Sequence, residues 1–169
     1  DEIYVDLSDN SEETRSLAQR IKDAVFTATG LSCSIGVTPN KLLSKIASDL
    51  EKPNGLTILS LDDVPTRIWP LAAKKVNGIG PKASERLERH GIRTIGELAA
   101  TPQEFLIRKF GRSTGLWMHR IAHGIDDRPV VTESEPKSIS RETTFERDLH
   151  VRQDKPELSE KFTSLCLRV

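Results

Sequence analysis

The sequence predicts an α/β segment, a mixed sheet with helices on it. An all-α segment built on a helix-hairpin-helix follows, and then the start of an α+β domain. Three observations carry this. Apolar residues alternate over Ile3–Leu7 and Leu31–Val37, as in half-buried strands, with helical periods after each. Gly78-Ile79-Gly80 stands between apolar helical patterns in a region without alternation. The stretch 125–136 has no helical period and holds Pro129 and Pro136, and alternation resumes over 137–145.

Composition sets the bounds. The chain has 169 residues, 25 basic and 25 acidic, with 30% charged and 5% aromatic residues. Zero net charge argues against a uniformly basic nucleic-acid binder, but the charge is unevenly spread. Residues 1–30 hold seven acids against three bases, and residues 74–120 hold ten bases against four acids. That asymmetry suits a basic part that holds a polyanion beside an acidic part able to hold a metal. Cys33 and Cys166 make no disulfide framework; both fall in apolar patterns and read as buried thiols of a reducing compartment. No apolar run reaches the length of a membrane span and no signal peptide is evident. The chain starts at Asp1 without Met and stops inside a helical pattern at Val169, so it reads as a fragment.

In chain order, Ile3, Val5 and Leu7 form the buried face of a first strand. Ser11 is placed to cap a helix with Leu17, Ala18, Ile21, Ala24, Val25 and Ala28 inward, ended by Gly30. Leu31–Val37 is a second strand whose other face is small (Ser32, Ser34, Gly36), where a neighbour can approach closely. Thr38-Pro39 opens a helix with Leu42, Leu43, Ile46, Ala47 and Leu50 as core. Lys41, Lys45, Ser48 and Lys52 make one polar stripe along it, either a solvated face or, beside a phosphate-bearing substrate, a charge clamp. Pro53-Asn54-Gly55 is a turn and Leu56–Leu59 a short strand.

Asp62–Trp69 and Pro70–Lys75 read as short helices leading to the hairpin. Gly78 and Gly80 allow positive φ and leave bare the N–H groups of the helix that Pro81 starts. Such a helix N-terminus attracts anions, with Lys82, Arg86 and Arg89 adding charge nearby, so the unit reads as a phosphate-gripping hairpin or as an ordinary Gly-rich turn. Gly91 closes that helix. Thr94…Glu97 and Thr101…Glu104 both fit the capping-box pattern. Phe110–Gly115 is a second, degenerate hairpin or a plain turn. Lys137–Phe145 alternates like a strand, and Pro156–Val169 is an amphipathic helix. At the N-terminus, the adjacent carboxylates Asp1 and Glu2 are either a solvated acidic turn or, at a strand end, hard oxygen ligands for Mg2+.

Several stretches together resemble one known family. DEIYVDLSD at 1–9 resembles the Asp-Glu-Ala-Tyr-Leu-Asp segment of Y-family translesion DNA polymerases. SIGVTPNKLLSKIASDLEKPNG at 34–55 resembles their palm helix and is the most specific match. VNGIGPKASERLERHGIRTIGEL at 76–98 resembles their thumb hairpin, and KSISRETTF at 137–145 the first strand of their little finger. The matches come in the family's order, with the bacterial DNA polymerase IV type closest. Ile3 departs from the family's usual Ala.

The resemblance implies a partial catalytic palm at 1–60, a thumb at 61–128, a linker at 129–136 and the start of a little finger at 137–169. It implies Asp1 and Glu2 as catalytic ligands of two Mg2+ ions, and Lys52 as a contact to the incoming deoxynucleoside triphosphate. Gly78, Gly80, Lys82, Lys137, Ser138 and Arg141 become contacts to primer-template DNA. It further implies a cytoplasmic lesion-bypass enzyme that meets a sliding clamp through a motif not present here. A non-catalytic helix-hairpin-helix DNA-binding module is the alternative. The family's third carboxylate, its fingers and its sugar-discriminating residue lie upstream of the stretch matched here, so the fragment alone is expected to be inactive.

Overall fold

A computed structural model describes residues 2–133, 135 and 138–168. The chain divides into two compact units, one ending at Val130 and one beginning at Val131. The first is rich in helix and carries a small parallel sheet.

Helix α1 (Thr14–Thr29) opens the first unit, and its N-terminus is capped by Glu13, whose carboxylate accepts from the N–H groups of Arg15 and Ser16. The Ser11 cap expected from sequence is therefore corrected: the helix starts later, and the longer carboxylate reaches the same orphan donors. Gly30, at φ 72°, ends it as expected. Strand β1 (Ile35–Val37) pairs in parallel with β2 (Leu56–Ile58), Ile35 opposite Leu56, with helix α2 (Lys41–Leu50) as the crossover. Gly36 permits the close packing of that crossover: a Cβ there would lie 2.3 Å from the Ser44 carbonyl oxygen and 2.6 Å from the Ser48 nitrogen. Leu42, Leu43, Ile46 and Ala47 are the buried residues of α2, Ala47 among those that press on Gly36. Burying each large aliphatic chain among them contributes about 1.5 to 3 kcal/mol.

Residues 2–7 form no strand, which corrects the first expected strand. Over residues 2–5 the faces are exchanged: Glu2 and Tyr4, exposed themselves, contact α2, while Ile3 (82% exposed) and Val5 (56%) do not, and only Leu7 is half-buried as expected. A strand needs a hydrogen-bonding neighbour, and among the described residues β1 and β2 pair only with each other.

From Leu59 the core runs without a break into the helical part. Val64, Ile68, Val76, Ile79, Leu87, Ile95, Leu98, Leu106 and Met118 share one cluster with Leu43 and Ile46. The short helix expected at 62–69 is present as a 3-10 helix at Leu61–Asp63 that runs into a π-helix at Val64–Ile68, and the one expected at 70–75 is reduced to a 3-10 helix at Ala73–Lys75. Helices α3 (Pro81–Glu88), α4 (Ile95–Ala100), α5 (Gln103–Phe110) and α6 (Arg112–Ala122) follow. Thr94 and Glu97 make the expected capping box. Thr101 and Glu104 do not, because Pro102 is the cap residue and Thr101 falls one position too early. At Gly111 (φ 87°) α5 turns directly into α6, and Gly115 lets the two backbones touch.

The second unit holds helix α7 (Lys155–Cys166). Arg147 bridges Asp154 and Glu157 and holds the Asp154 carboxyl down at about 2. Two expectations are corrected here. Residues 138–145 form no strand, and Cys166 is exposed. No residue of α7 is buried: of its apolar residues Leu158 and Leu165 are half-buried and Phe162 is exposed.

Candidate functional site

The first half of the site is the lysine face of α2. An extended chain repeats every two residues and a helix every three to four, so Glu2 and Tyr4 match Lys45 and Lys41. Lys45 Nζ donates to Glu2 Oε1 at 2.5 Å and to Asp49 Oδ2 at 3.2 Å. Lys52 Nζ sits 2.5 Å from the other Asp49 oxygen. Glu2, Lys45, Asp49 and Lys52 therefore form one alternating chain of charge. The Glu2 carboxylate holds the Lys45 ammonium's pKa above its ordinary value, with Asp49 adding to it. Lys52, helped by Lys45, keeps Asp49 below the usual carboxylate range. Lys41 lies over the Tyr4 ring at 5.1 Å, a cation–π contact, and donates to the Pro129 carbonyl.

Two supports of this face are not evident in the sequence. Lys22 of α1 is only 8% exposed, and its ammonium donates to the carbonyls of Cys33, Asn54 and Gly55 and to Asn54 Oδ1, at 2.6 to 3.2 Å. It thereby fixes the turn that carries Lys52. Its one sequence signal is a charge at the i+4 position from the buried Ala18. At the other end of α2, Asn40 replaces the expected Thr38-Pro39 start. Its Oδ1 accepts from Leu43 N and its side-chain amide donates to the Gly124 carbonyl. Asp126 accepts from Leu42 N, and paired Arg128 holds its carboxyl below the usual range.

The second half is the hairpin. Residues 71–73 pair with 93–95 (Ala73 N to Arg93 O, Ile95 N to Leu71 O), fixing where the hairpin starts and returns. Gly78 has φ 105°, and a Cβ there would meet the Trp117 indole at 2.8 Å, so α6 backs the turn. Gly80 corrects an expectation: its φ is −74°, which any residue adopts. A Cβ on Gly80 would meet nothing within 4 Å. Its contribution is an open approach to the first turn of α3, which no side chain caps. Arg86 and Arg89 are committed elsewhere, Arg86 to the Lys109 carbonyl and the Phe110 ring and Arg89 to Glu85. Among the described residues Lys74, Lys75 and Lys82 are exposed and make no ion pair. A shallow open cleft joins the two halves, lined by Lys45, Lys74, Lys75 and residues 76–80.

Of the other sequence-derived candidates, Asp1 and Lys137 lie outside the described residues. Ser138 and Arg141 are exposed in the second unit. Among the described residues no group of three His, Cys, Asp or Glu side chains gathers into a metal cage, and no helix is long and apolar enough to cross a membrane.

Residues 1–49 match the impB/mucB/samB family, and residues 74–126 match the family described as DNA polymerase-iota, thumb domain. Similar curated proteins are named DNA polymerase IV. That of Methanoculleus marisnigri is 46% identical over 150 residues, covering 88% of this chain and 41% of the relative. That of Moorella thermoacetica is 43% identical over 135 residues, covering 79% and 34%. That of Shewanella amazonensis is 39% identical over 157 residues, covering 90% and 44%. The chain thus spans less than half the length of these relatives. With one family matched over the α2 face, a second over the hairpin, and both parts present in each relative's alignment, the chain belongs to the Y-family of DNA polymerases.

Proposed function

We propose that this chain carries part of the nucleotidyl-transfer site and the duplex-holding thumb of a lesion-bypass DNA polymerase. In this reading residues 1–60 are palm, 61–128 thumb, 129–136 linker and 137–169 the start of the little finger. The observation that supports it best is the charge chain Glu2–Lys45–Asp49–Lys52, which runs along one face of α2 and meets the hairpin cleft at Lys45. Asp1 and Glu2 are the proposed anchors for two Mg2+ ions. Glu2 suits this chemically, being an accessible carboxylate of the hard-oxygen kind that Mg2+ takes in ones and twos beside substrate phosphates. When bound, Mg2+ supplies charge that steadies a triphosphate and lowers the pKa of a bound hydroxyl. Lys52, on a turn pinned by Lys22, offsets phosphate charge on a deoxynucleoside triphosphate. The hairpin holds the primer-template backbone through N–H groups and lysines, independently of sequence. Ser138 and Arg141, with Lys137, extend the DNA contacts, and a sliding clamp is the further partner of the complete protein, which acts in the cytoplasm.

Primer extension by the complete protein tests this. Glu2→Gln should abolish most incorporation while duplex binding persists. Lys52→Ala should lower kcat/KM for nucleotide by roughly one to three decades with primer-template affinity nearly unchanged. Wild-type incorporation by Glu2→Gln would refute the catalytic assignment and favour a non-catalytic DNA-binding module.

A further inference from the structure

Lys45 is the residue both halves of the site share. It lines the hairpin cleft with Lys74 and Lys75, and among the described residues it is the one of the three lysines that also touches carboxylates. Among the described residues no acidic side chain lines that cleft. An ammonium has three N–H donors. Glu2 and Asp49 engage two of them, at 2.5 and 3.2 Å. The Lys45 side chain is 19% exposed and lines the cleft, so it is largely held in place while still open to solvent there.

We propose that Lys45 is a shared cation, the third ammonium of a phosphate subsite in the hairpin cleft, for which a nucleic-acid backbone phosphate competes with Glu2. This rests on the reading of the hairpin as a duplex-holding element and adds the linkage to the carboxylate face. A phosphodiester in the cleft meets three ammonium groups and the uncapped first turn of α3. It draws Lys45 toward the cleft and loosens its hold on Glu2. By linkage, anything that removes Glu2's claim on Lys45 strengthens the grip on the phosphate. The effect passes through Lys45 alone, which separates it from the general gain of deleting a negative charge near DNA.

The test is a double-mutant cycle read by fluorescence anisotropy of a short duplex on the 169-residue chain, with circular dichroism on each sample. Lys45→Ala should weaken binding and lower the salt slope by about 1, the mark of one lost phosphate contact, and Lys45→Arg should restore it. Glu2→Gln should tighten binding about two- to fivefold, the scale of a released exposed ion pair. In the Lys45→Ala background Glu2→Gln should change nothing. An equal gain from Glu2→Gln in both backgrounds overturns the proposal, as does wild-type affinity in folded Lys45→Ala. If Lys74→Ala and Lys75→Ala still weaken binding in that case, the duplex-holding hairpin stands without it. If neither they nor Lys45→Ala matter, both fall. A parallel titration with a deoxynucleoside triphosphate gives the other phosphate source, and a Lys45→Ala loss confined to that arm also overturns the proposal.

Discussion

Lys41, Lys45 and Lys52, on and just after α2, each meet a carboxylate, a carbonyl or an aromatic face, whereas Lys74, Lys75 and Lys82 around the hairpin end in solvent without an ion pair among the described residues. The same residue type is bound into the structure in one place and left available in the other. Electrostatics inside a fold is set by what a charge already touches, because a paired ammonium must give up a partner before it takes another. Changes to the groups that support the α2 face, Lys22 and Asp126, should therefore register as stability, and changes at the hairpin as affinity for a polyanion.

The largest expected effect lies on the structured side. Lys22→Met removes the donor from three carbonyls and a side-chain amide oxygen in a part-buried site. It should cost about 2 to 4 kcal/mol, since charged hydrogen bonds are strong and orphaned acceptors are expensive. Chemical denaturation measures it. A loss below about 0.5 kcal/mol, the ordinary surface value, would place Lys22 among solvated residues and blur the contrast.

Next is the hairpin pair. Lys74→Ala with Lys75→Ala should weaken duplex binding about tenfold or more at moderate salt, through lost counterion release, with the melting temperature unmoved. A stability loss with unchanged affinity would reverse the roles of the two regions.

Asp126 gives a smaller, pH-dependent effect. Arg128 depresses its pKa in the folded chain, and its carboxylate caps Leu42 N. The stability it adds is fully present above the ordinary carboxylate range and is lost as pH falls through its lowered folded value. Asp126→Ala should cost about 1 to 2 kcal/mol at neutral pH, the scale of a lost cap, and the difference should vanish in strong acid. Denaturation of both proteins across pH 2 to 7 checks it; a constant difference across that range would remove the charge from the explanation. The smallest effect belongs to Lys52 and its exposed pair with Asp49, where Lys52→Ala should change stability by less than about 0.5 kcal/mol.

Legibility in the sequence followed the range of the interaction. The α2 face, the Gly30 and Gly91 helix ends, the Thr94–Glu97 box and the hairpin with Pro81 were readable because each depends on residues within one or two turns. The exchanged faces of residues 2–5 were not, because periodicity marks two faces without saying which one meets a partner. The roles of Lys22 and Asp126 are not legible in the sequence because their acceptors and donors lie 11 to 33 and 84 residues away. Gly80 was misjudged in reason but not in place: the open space in front of α3 is there, and the positive φ is at Gly78.

That open space gives the most direct test of the central claim, that the hairpin holds nucleic-acid phosphates through bare backbone. A Cβ at Gly80 meets nothing within 4 Å and its φ of −74° is open to any residue, so Gly80→Val, at the modest cost of a poorer helix cap, should stay folded. The added side chain then stands in front of the uncapped first turn of α3. Measured by anisotropy on short duplexes of differing sequence at several salt concentrations, the wild-type chain should bind without base preference and lose affinity steadily as salt rises. Folded Gly80→Val should bind severalfold more weakly with a shallower salt slope. A folded Gly80→Val chain with wild-type affinity and slope would contradict the claim and leave the hairpin as a turn between helices.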